Sequence, residues 1–358
     1  MISRANRPAR GRSIGWAYFL ACITFVAGLT FGAGASNAAD KPHVRIAVGG
    51  ATCLCYLPTV LAGQLGFYEK NGIDAELINL KGGSQALTAV LGGSADVVSG
   101  YYDHTVNLAP KGKFLAAFVV YDRFPGLVLV VSPKSTAQIK SVADLVGQKV
   151  GVSAPGSSTD FFLKYALSKA NIDPGKVSVL GVGLDATAVA AMEQGQVQAA
   201  VMLDPAVTQL EGRNKDVRIL LDTRSEADTR KTFGGDYPGG AIYGLADWVK
   251  DHGAEAQMLT DAIVETLQWI HAHTAEEIAA KMPAEYVGED RALYIAALKN
   301  TLPMYSVNGL MDAKGAEAVL AVFSQSNPEV AAAHVDVTKT YTNAFAEKAA
   351  ARFGAPTN

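Results

Sequence analysis

From Val44 onward, short apolar runs alternate with longer stretches in which apolar residues recur at helical spacing. Val44–Val48 predicts a strand that stops at Gly49-Gly50. The loop Ala51-Thr52-Cys53-Leu54-Cys55-Tyr56 follows. A helix then runs from about Pro58 to Lys70, with Leu61, Leu65 and Tyr68 on one face, and Asn71-Gly72 ends it. Ile73–Leu80 predicts a second strand and Lys81-Gly82-Gly83 a loop. Ser84 is expected to cap a helix that reaches Gly92-Gly93. Ala95–Ser99 predicts a third strand, closing at Gly100-Tyr101-Tyr102.

The same order recurs about a hundred residues later, which marks a duplicated unit rather than a short-period array. Lys149–Val152 predicts a strand leading into a helix at Ser157. That helix ends near Asn171-Ile172-Asp173-Pro174, echoing Asn71-Gly72-Ile73-Asp74. Val177–Leu180 is a strand, Gly181–Asp185 a loop, Ala186–Gln194 a helix and Val197–Leu203 a strand. Two α/β lobes follow from this repetition, each with a largely parallel sheet because βαβ crossovers are right-handed. Residues 40–122 are assigned to the first lobe and 123–222 to the second, with 223–358 returning to the first. The link begins at Tyr121-Asp122-Arg123-Phe124-Pro125-Gly126, Leu127–Ser132 enters the second lobe as a strand, and Val217–Thr223 carries the chain back. Two crossings make a hinge beside an interlobe cleft. After Asp236 the pattern becomes helical, near 245–273, 275–282, 289–301, 312–323 and 338–352, and these helices are expected to pack on the first lobe.

The N-terminus has a different pattern. Arg4, Arg7, Arg10 and Arg12 precede an apolar run from Ile14 to Phe31, and Ser36-Asn37-Ala38 offers a cleavage site. Residues 1–38 are therefore expected to be a cleavable signal peptide that sends the protein to the periplasm. With those four Arg set aside from the 31 basic residues, 27 remain against 34 acidic ones, a net charge of −7. No basic run is left, which argues against a nucleic-acid partner. Cys53 and Cys55 are the cysteines that survive processing. They are read as two semi-buried thiols, open to oxidation to one another in an exporting compartment.

The most informative stretch for chemistry is Gln148–Tyr165. Its Ala154-Pro155-Gly156 turn opens a helix at Ser157-Ser158-Thr159-Asp160. Free N–H groups at the positive end of a helix dipole form a seat for a small anion. Ser157, Ser158 and Thr159 are the candidate donors, and Ser84 opens the corresponding helix of the first lobe from the opposite side. In parallel α/β sheets ligands sit beyond the carboxyl ends of the strands. Loops there add Thr52, Gly83, Tyr56, Tyr101 and Tyr102, with Tyr237 closing from the return segment. Asp204, at a strand end, either accepts from a ligand amine or caps the next helix. Asp103, Asp160 and Asp204 together hint at a solute with a positive group. Gly181-Val182-Gly183-Leu184-Asp185-Ala186 fits a degenerate dinucleotide fingerprint, but it follows the second strand of its unit. There is no G-x-S-x-G, P-loop or H-E-x-x-H motif. No catalytic residue, metal or cofactor is expected.

Four segments in order resemble a known family: VRIAVGG…YLPTVLAGQLGFYEKNGIDAEL, GGSQALTAVLGGSADVVSG, SVADLVGQKVGVSAPGSSTDFFLKYALSKANID and AVAAMEQGQVQAAVMLDPAV. They look like the sulfonate/nitrate/taurine-type periplasmic binding proteins of ABC importers. The resemblance implies a type II periplasmic binding protein fold with a ligand between two lobes. It also implies a small anionic or zwitterionic solute, a permease and an ATPase as partners, and a monomer rather than an enzyme. Leu203 stands where the family often carries a Trp before the acidic-Pro pair, and the Cys53–Tyr56 loop also departs from the usual one. The alternative is a secreted enzyme on the same fold, similar to the relative that makes a thiamine pyrimidine. That activity goes with a Cys-rich motif in the C-terminal half, whereas both mature Cys here lie in the first loop.

Overall fold

The computed structural model describes residues 41–356, so the expected signal peptide at 1–38 lies outside the described residues. Ten strands form two five-stranded sheets. The first contains β1 (His43–Val48), β2 (Asp74–Asn79), β3 (Val97–Tyr101), β4 (Leu115–Val120) and β10 (Gly240–Leu245), in the order β2-β1-β3-β10-β4. The second contains β5 (Val128–Val131), β6 (Lys149–Val152), β7 (Ser178–Gly181), β8 (Ala199–Met202) and β9 (Arg218–Asp222), in the order β7-β6-β8-β5-β9. The two orders match position for position, as a duplicated unit requires.

The sheets are mixed rather than largely parallel. β1 pairs in parallel with β2 and β3, and β6 with β7 and β8. β10 runs antiparallel to both β3 and β4, and β5 runs antiparallel to both β8 and β9. In each lobe the reversed strand is the one that has just arrived from the other lobe. β4 and β10 escaped the sequence pattern. β10, Gly-Ala-Ile-Tyr-Gly-Leu, overturns the expectation that the chain turns helical after Asp236. It is buried along almost its whole length and so shows no alternation, and its two glycines lower its strand propensity. The Val217–Thr223 stretch is not itself the return, since β9 is an edge strand of the second sheet and the crossing starts at Thr223.

The crossings run side by side. Gly126 N–H donates to Thr223 O at 3.2 Å, Thr223 N–H to Leu127 O at 3.0 Å, and Gly239 N–H to Asp122 O at 3.0 Å. Asp122 is fully buried, and its Oδ2 accepts the Gly240 N–H at 3.0 Å. This paired ribbon links the two lobes.

Two local readings change. The helix expected over Pro58–Lys70 is two helices, Leu57–Gln64 and Phe67–Lys70, because Gly66 takes a left-handed φ of 71°. Ser84 is not a cap: the helix spans Gly83–Leu91 with Gly82 at its N-cap. The C-terminal helices serve both lobes rather than the first alone. Gly253–His271 packs on Leu57–Gln64, Phe67–Lys70 and Ala344–Phe353, over the first sheet. Arg291–Thr301 packs on Ala206–Arg213, and Ala313–Ser326 on Ser158–Lys169, both helices of the second sheet. No helix among the described residues is long and apolar enough to cross a membrane.

Candidate functional site between the lobes

β6 delivers Ser153 to the edge of the second sheet, and a turn at Gly156 (φ 79°) starts the helix Ser158–Lys169. Asp160 in its first turn folds back, its Oδ2 accepting the Gly156 N–H at 2.7 Å and pairing with Lys164 Nζ at 2.8 Å. Through Oδ2 it shapes the turn, while its Oδ1 is buried without a partner. Thr159 Oγ1 likewise accepts the Ser153 N–H at 2.9 Å and bonds Ser153 Oγ at 2.8 Å. The amides of Ser158 and Thr159 have no hydrogen-bond acceptor among the described residues. As the first N–H groups of the helix, they lie beyond the reach of its internal ladder.

The other two hydroxyls reach across to the first lobe. Ser157 Oγ accepts the Ser84 N–H at 3.0 Å and donates to Ser84 Oγ at 3.2 Å. Ser158 Oγ donates to Asp103 Oδ1 at 2.8 Å, and Tyr237 OH donates to Asp103 Oδ2 at 3.2 Å. Tyr56, Gly83, Tyr101, Leu127, Ser153, Ser157, Ser158, Thr159, Leu184 and Leu203 enclose the void beside these groups. Its volume is only about 10 Å³, room for about one water. Tyr56 and Tyr101 meet edge to face at 6.3 Å, and the Tyr101 hydroxyl is anchored on Pro125 O at 2.6 Å.

Burial dominates the electrostatics. It lifts the Asp103 carboxyl to about 7 despite its Ser158 and Tyr237 bonds, and pushes the adjacent His104 down to about 4. Neither ring nitrogen of His104 has a partner, and the ring lies edge-on to Phe161 of the second lobe at 5.3 Å.

The structure thus brings together Tyr56, Gly83, Ser84, Tyr101, Ser157, Ser158, Thr159 and Tyr237. It places three others elsewhere. Tyr102 turns away, its hydroxyl on Thr340 Oγ1 at 2.5 Å, because β3 ends at Tyr101 and Tyr102 already takes helical dihedrals at the start of the helix Asp103–Leu108. Asp204 caps the next helix, its Oδ1 accepting from Thr208 N–H at 3.0 Å and Thr208 Oγ1 at 2.7 Å, with Arg224 at 3.9 Å. Thr52 lies on a larger interlobe groove of about 700 Å³ that shares Ser153 and Leu184 with this void, with Asn79, Lys81 and Gln85 on one side and Pro155, Gly183 and Asp185 on the other. Gly181–Asp185, the dinucleotide-like run, lines that groove. Asp103, read in the sequence only as a hint of a positive group on the solute, joins the site through Ser158 and Tyr237. Ser153, Leu127 and Leu184 carry no local signal at all.

Cys53 and Cys55 are joined in a disulfide and are fully buried, not semi-buried thiols. Their loop is a junction: Leu54 N–H donates to Asp204 O at 2.9 Å, and Leu54 O accepts from Tyr305 OH at 2.7 Å. No cluster of three or more His, Cys, Asp or Glu suited to a metal occurs among the described residues.

Comparison with known proteins agrees with this architecture. A solved structure from Bordetella bronchiseptica RB50 is 40% identical, with a TM-score of 0.85 over 88% of this chain and 99% of that one. The alkanesulfonate-binding protein SsuA from Xanthomonas axonopodis pv. citri, solved with MOPS bound, shares the fold at 20% identity. Its TM-score is 0.67, over 86% of this chain and all (100%) of that one. A Candida albicans protein described as having the generic periplasmic binding protein fold aligns with a TM-score of 0.61 at 12% identity, over 84% of this chain and 96% of that one. In sequence, the nitrate/nitrite binding protein NrtA of Nostoc sp. is 27% identical over 259 residues, 66% of this chain but only 56% of its own length. Residues 37–284 match the NMT1-like family, and with two mixed α/β lobes closing on a shared polar gap, the chain belongs to that family.

Proposed function

We propose that this protein is the exported solute-binding component of an ABC importer, and that it captures a small organic anion between its two lobes. The observation that carries this reading is the pair of free amides, Ser158 and Thr159, at the start of a twelve-residue helix, facing hydroxyls and a backbone amide from the other lobe. An anion there gains from the helix dipole and from donors that need no reorganisation. Ser84, Gly83, Tyr56, Tyr101, Tyr237 and the Ser157–Thr159 turn form the contact set. The protein works in the periplasm as a monomer, closes about the Gly126–Thr223 ribbon, and passes its solute to a permease driven by an ATPase. The names of its relatives, NrtA and SsuA, support nitrate-like or sulfonate solutes. Turnover is not part of this reading.

Isothermal titration with alkanesulfonates, taurine, nitrate and aromatic carboxylates tests it. Micromolar or tighter binding of at least one is expected, and binding of none sinks the proposal. A paired substitution isolates the amide. Ser158 is the first helical residue, where proline is tolerated and deletes only an already orphaned N–H. Ser158→Pro is expected to lose at least about tenfold more affinity than Ser158→Ala, since an ionic hydrogen bond is worth about 1.5–3 kcal/mol. Equal losses would place the anion elsewhere.

A further inference from the structure

The side chains around the gap do not suit a simple anion. Its lining contains no Lys, Arg or His. An acid stands directly behind that lining: Asp103, fully enclosed, accepting from Ser158 Oγ at 2.8 Å. Behind it stands His104, with no exposed surface and neither ring nitrogen satisfied. Its Nε2 is 3.0 Å from where a Cβ on Gly83 would sit, and Gly83 lines the gap. The Tyr243 hydroxyl, on the ring next to His104, is buried without a partner too. Buried polar groups are paired in the great majority of cases, and exceptions need a reason.

We infer that Asp103 is the specificity-determining residue of this cleft, selecting solutes that pair their oxyanion with an amino group, and that His104 completes this second subsite. This rests on the reading that the gap binds a solute. The oxyanion sits on the Ser158 and Thr159 amides. The ammonium or amino N–H donates to the Asp103 carboxylate, taking the place of Ser158 Oγ or Tyr237 OH. The neutral imidazole of His104 offers one acceptor and one donor to the remaining polar atoms. Of the other two acids near the cleft, Asp160 commits Oδ2 to the Gly156 N–H and Lys164, and Asp204 is engaged by Thr208 and faces Arg224. A bare oxyanion such as nitrate has no donor to offer and meets a carboxylate a few atoms from its seat, so it is disfavoured twice.

The test uses matched probes on the whole protein: taurine against ethanesulfonate, β-alanine against propionate, and nitrate alone. In the wild type, at least one amino member binds tenfold or more tightly than its amino-free partner and than nitrate. In Asp103→Asn that ratio falls towards one, while the amino-free member binds as well as before or better. If ethanesulfonate, propionate or nitrate binds the wild type as tightly as the amino probes, or if the ratio survives Asp103→Asn, the inference is overturned while the receptor reading stands. If no probe binds, the inference falls, and the receptor reading falls with it only if the full titration panel is silent as well. The wild-type comparison needs no variant and decides the matter even where Asp103→Asn does not fold.

Discussion

Asp103 and His104 are neighbours in the chain and titrate in opposite senses, because burial disfavours whichever form is charged. Asp103 holds its proton in the folded state up to about 7, well above the usual carboxylate value of 3.8. Over that window the folded state binds more protons than the unfolded one, so its contribution to stability falls as pH rises and is level above about 7. His104, lowered from 6.5 to about 4, contributes stability that is complete above 6.5 and is lost as pH falls towards 4. The two slopes largely cancel in the wild type between these limits. Melting curves of Asp103→Asn across that range are therefore expected to gain a rising slope from His104 alone. A profile parallel to the wild type would show that Asp103 is already ionised in the native protein. Neither behaviour was legible locally: both residues open the helix Asp103–Leu108, and their burial comes from distant segments, Gly83 and Tyr243 of the first lobe and Ser158 and Phe161 of the second.

At the scale of elements, the most vulnerable one is β10, the strand the pattern missed. A methyl on Gly240 would intrude on the Tyr121 ring and lie 2.5 Å from Asp122 Oδ2, the acceptor that holds the Gly240 amide. Gly240→Ala is expected to cost about 2–3 kcal/mol by overpacking, and more if Asp122 is left buried without its donor. Thermal unfolding checks this, and an unchanged midpoint would mean the linking ribbon relaxes freely. The elements that were legible share one property. β1, β2, β6 and β7 stand next to glycine or asparagine punctuation and feed amphipathic helices, so their limits are written locally. β4 and β10 are buried and uniformly apolar or glycine-bearing, and their identity rests on partners more than a hundred residues apart for β3 and β4 against β10. The Ser84 cap failed for a similar reason. Gly82 and Gly83 start the helix two residues earlier, where the chain passes close to the other lobe.

At the scale of the molecule, that close passage makes Gly82 a gauge of closure. A Cβ there would lie 2.9 Å from Ala154 Cβ and 3.2 Å from Ser157 Oγ, both across the gap. Gly82 has an extended φ of 176°, so alanine adds no backbone strain, only a wedge between the lobes. Gly82→Ala is expected to leave the melting temperature near that of the wild type and to raise the radius of gyration seen by X-ray scattering. It should also weaken the tightest solute of the titration panel by about tenfold. Unchanged scattering and affinity would show that the lobes meet this closely only by chance of side-chain packing.

The amino-acid sequence alone determined the duplicated module, the two lobes, the helix start that frees the Ser158 and Thr159 amides, and the loops from which most of the site is drawn. These follow from spacing and from turn and cap residues, which act over a few positions. The tertiary structure decided the rest. It made the sheets mixed, because each strand that arrives from the other lobe must run against its new neighbours. It sent Tyr102 to the far face, gave Asp204 to its own helix and Asp160 to its own turn, and joined Cys53 to Cys55. It also enclosed a carboxyl group and an imidazole directly behind the lining of the gap. Which polar groups are buried, and with whom, depends on contacts between distant segments, and no local pattern encodes them.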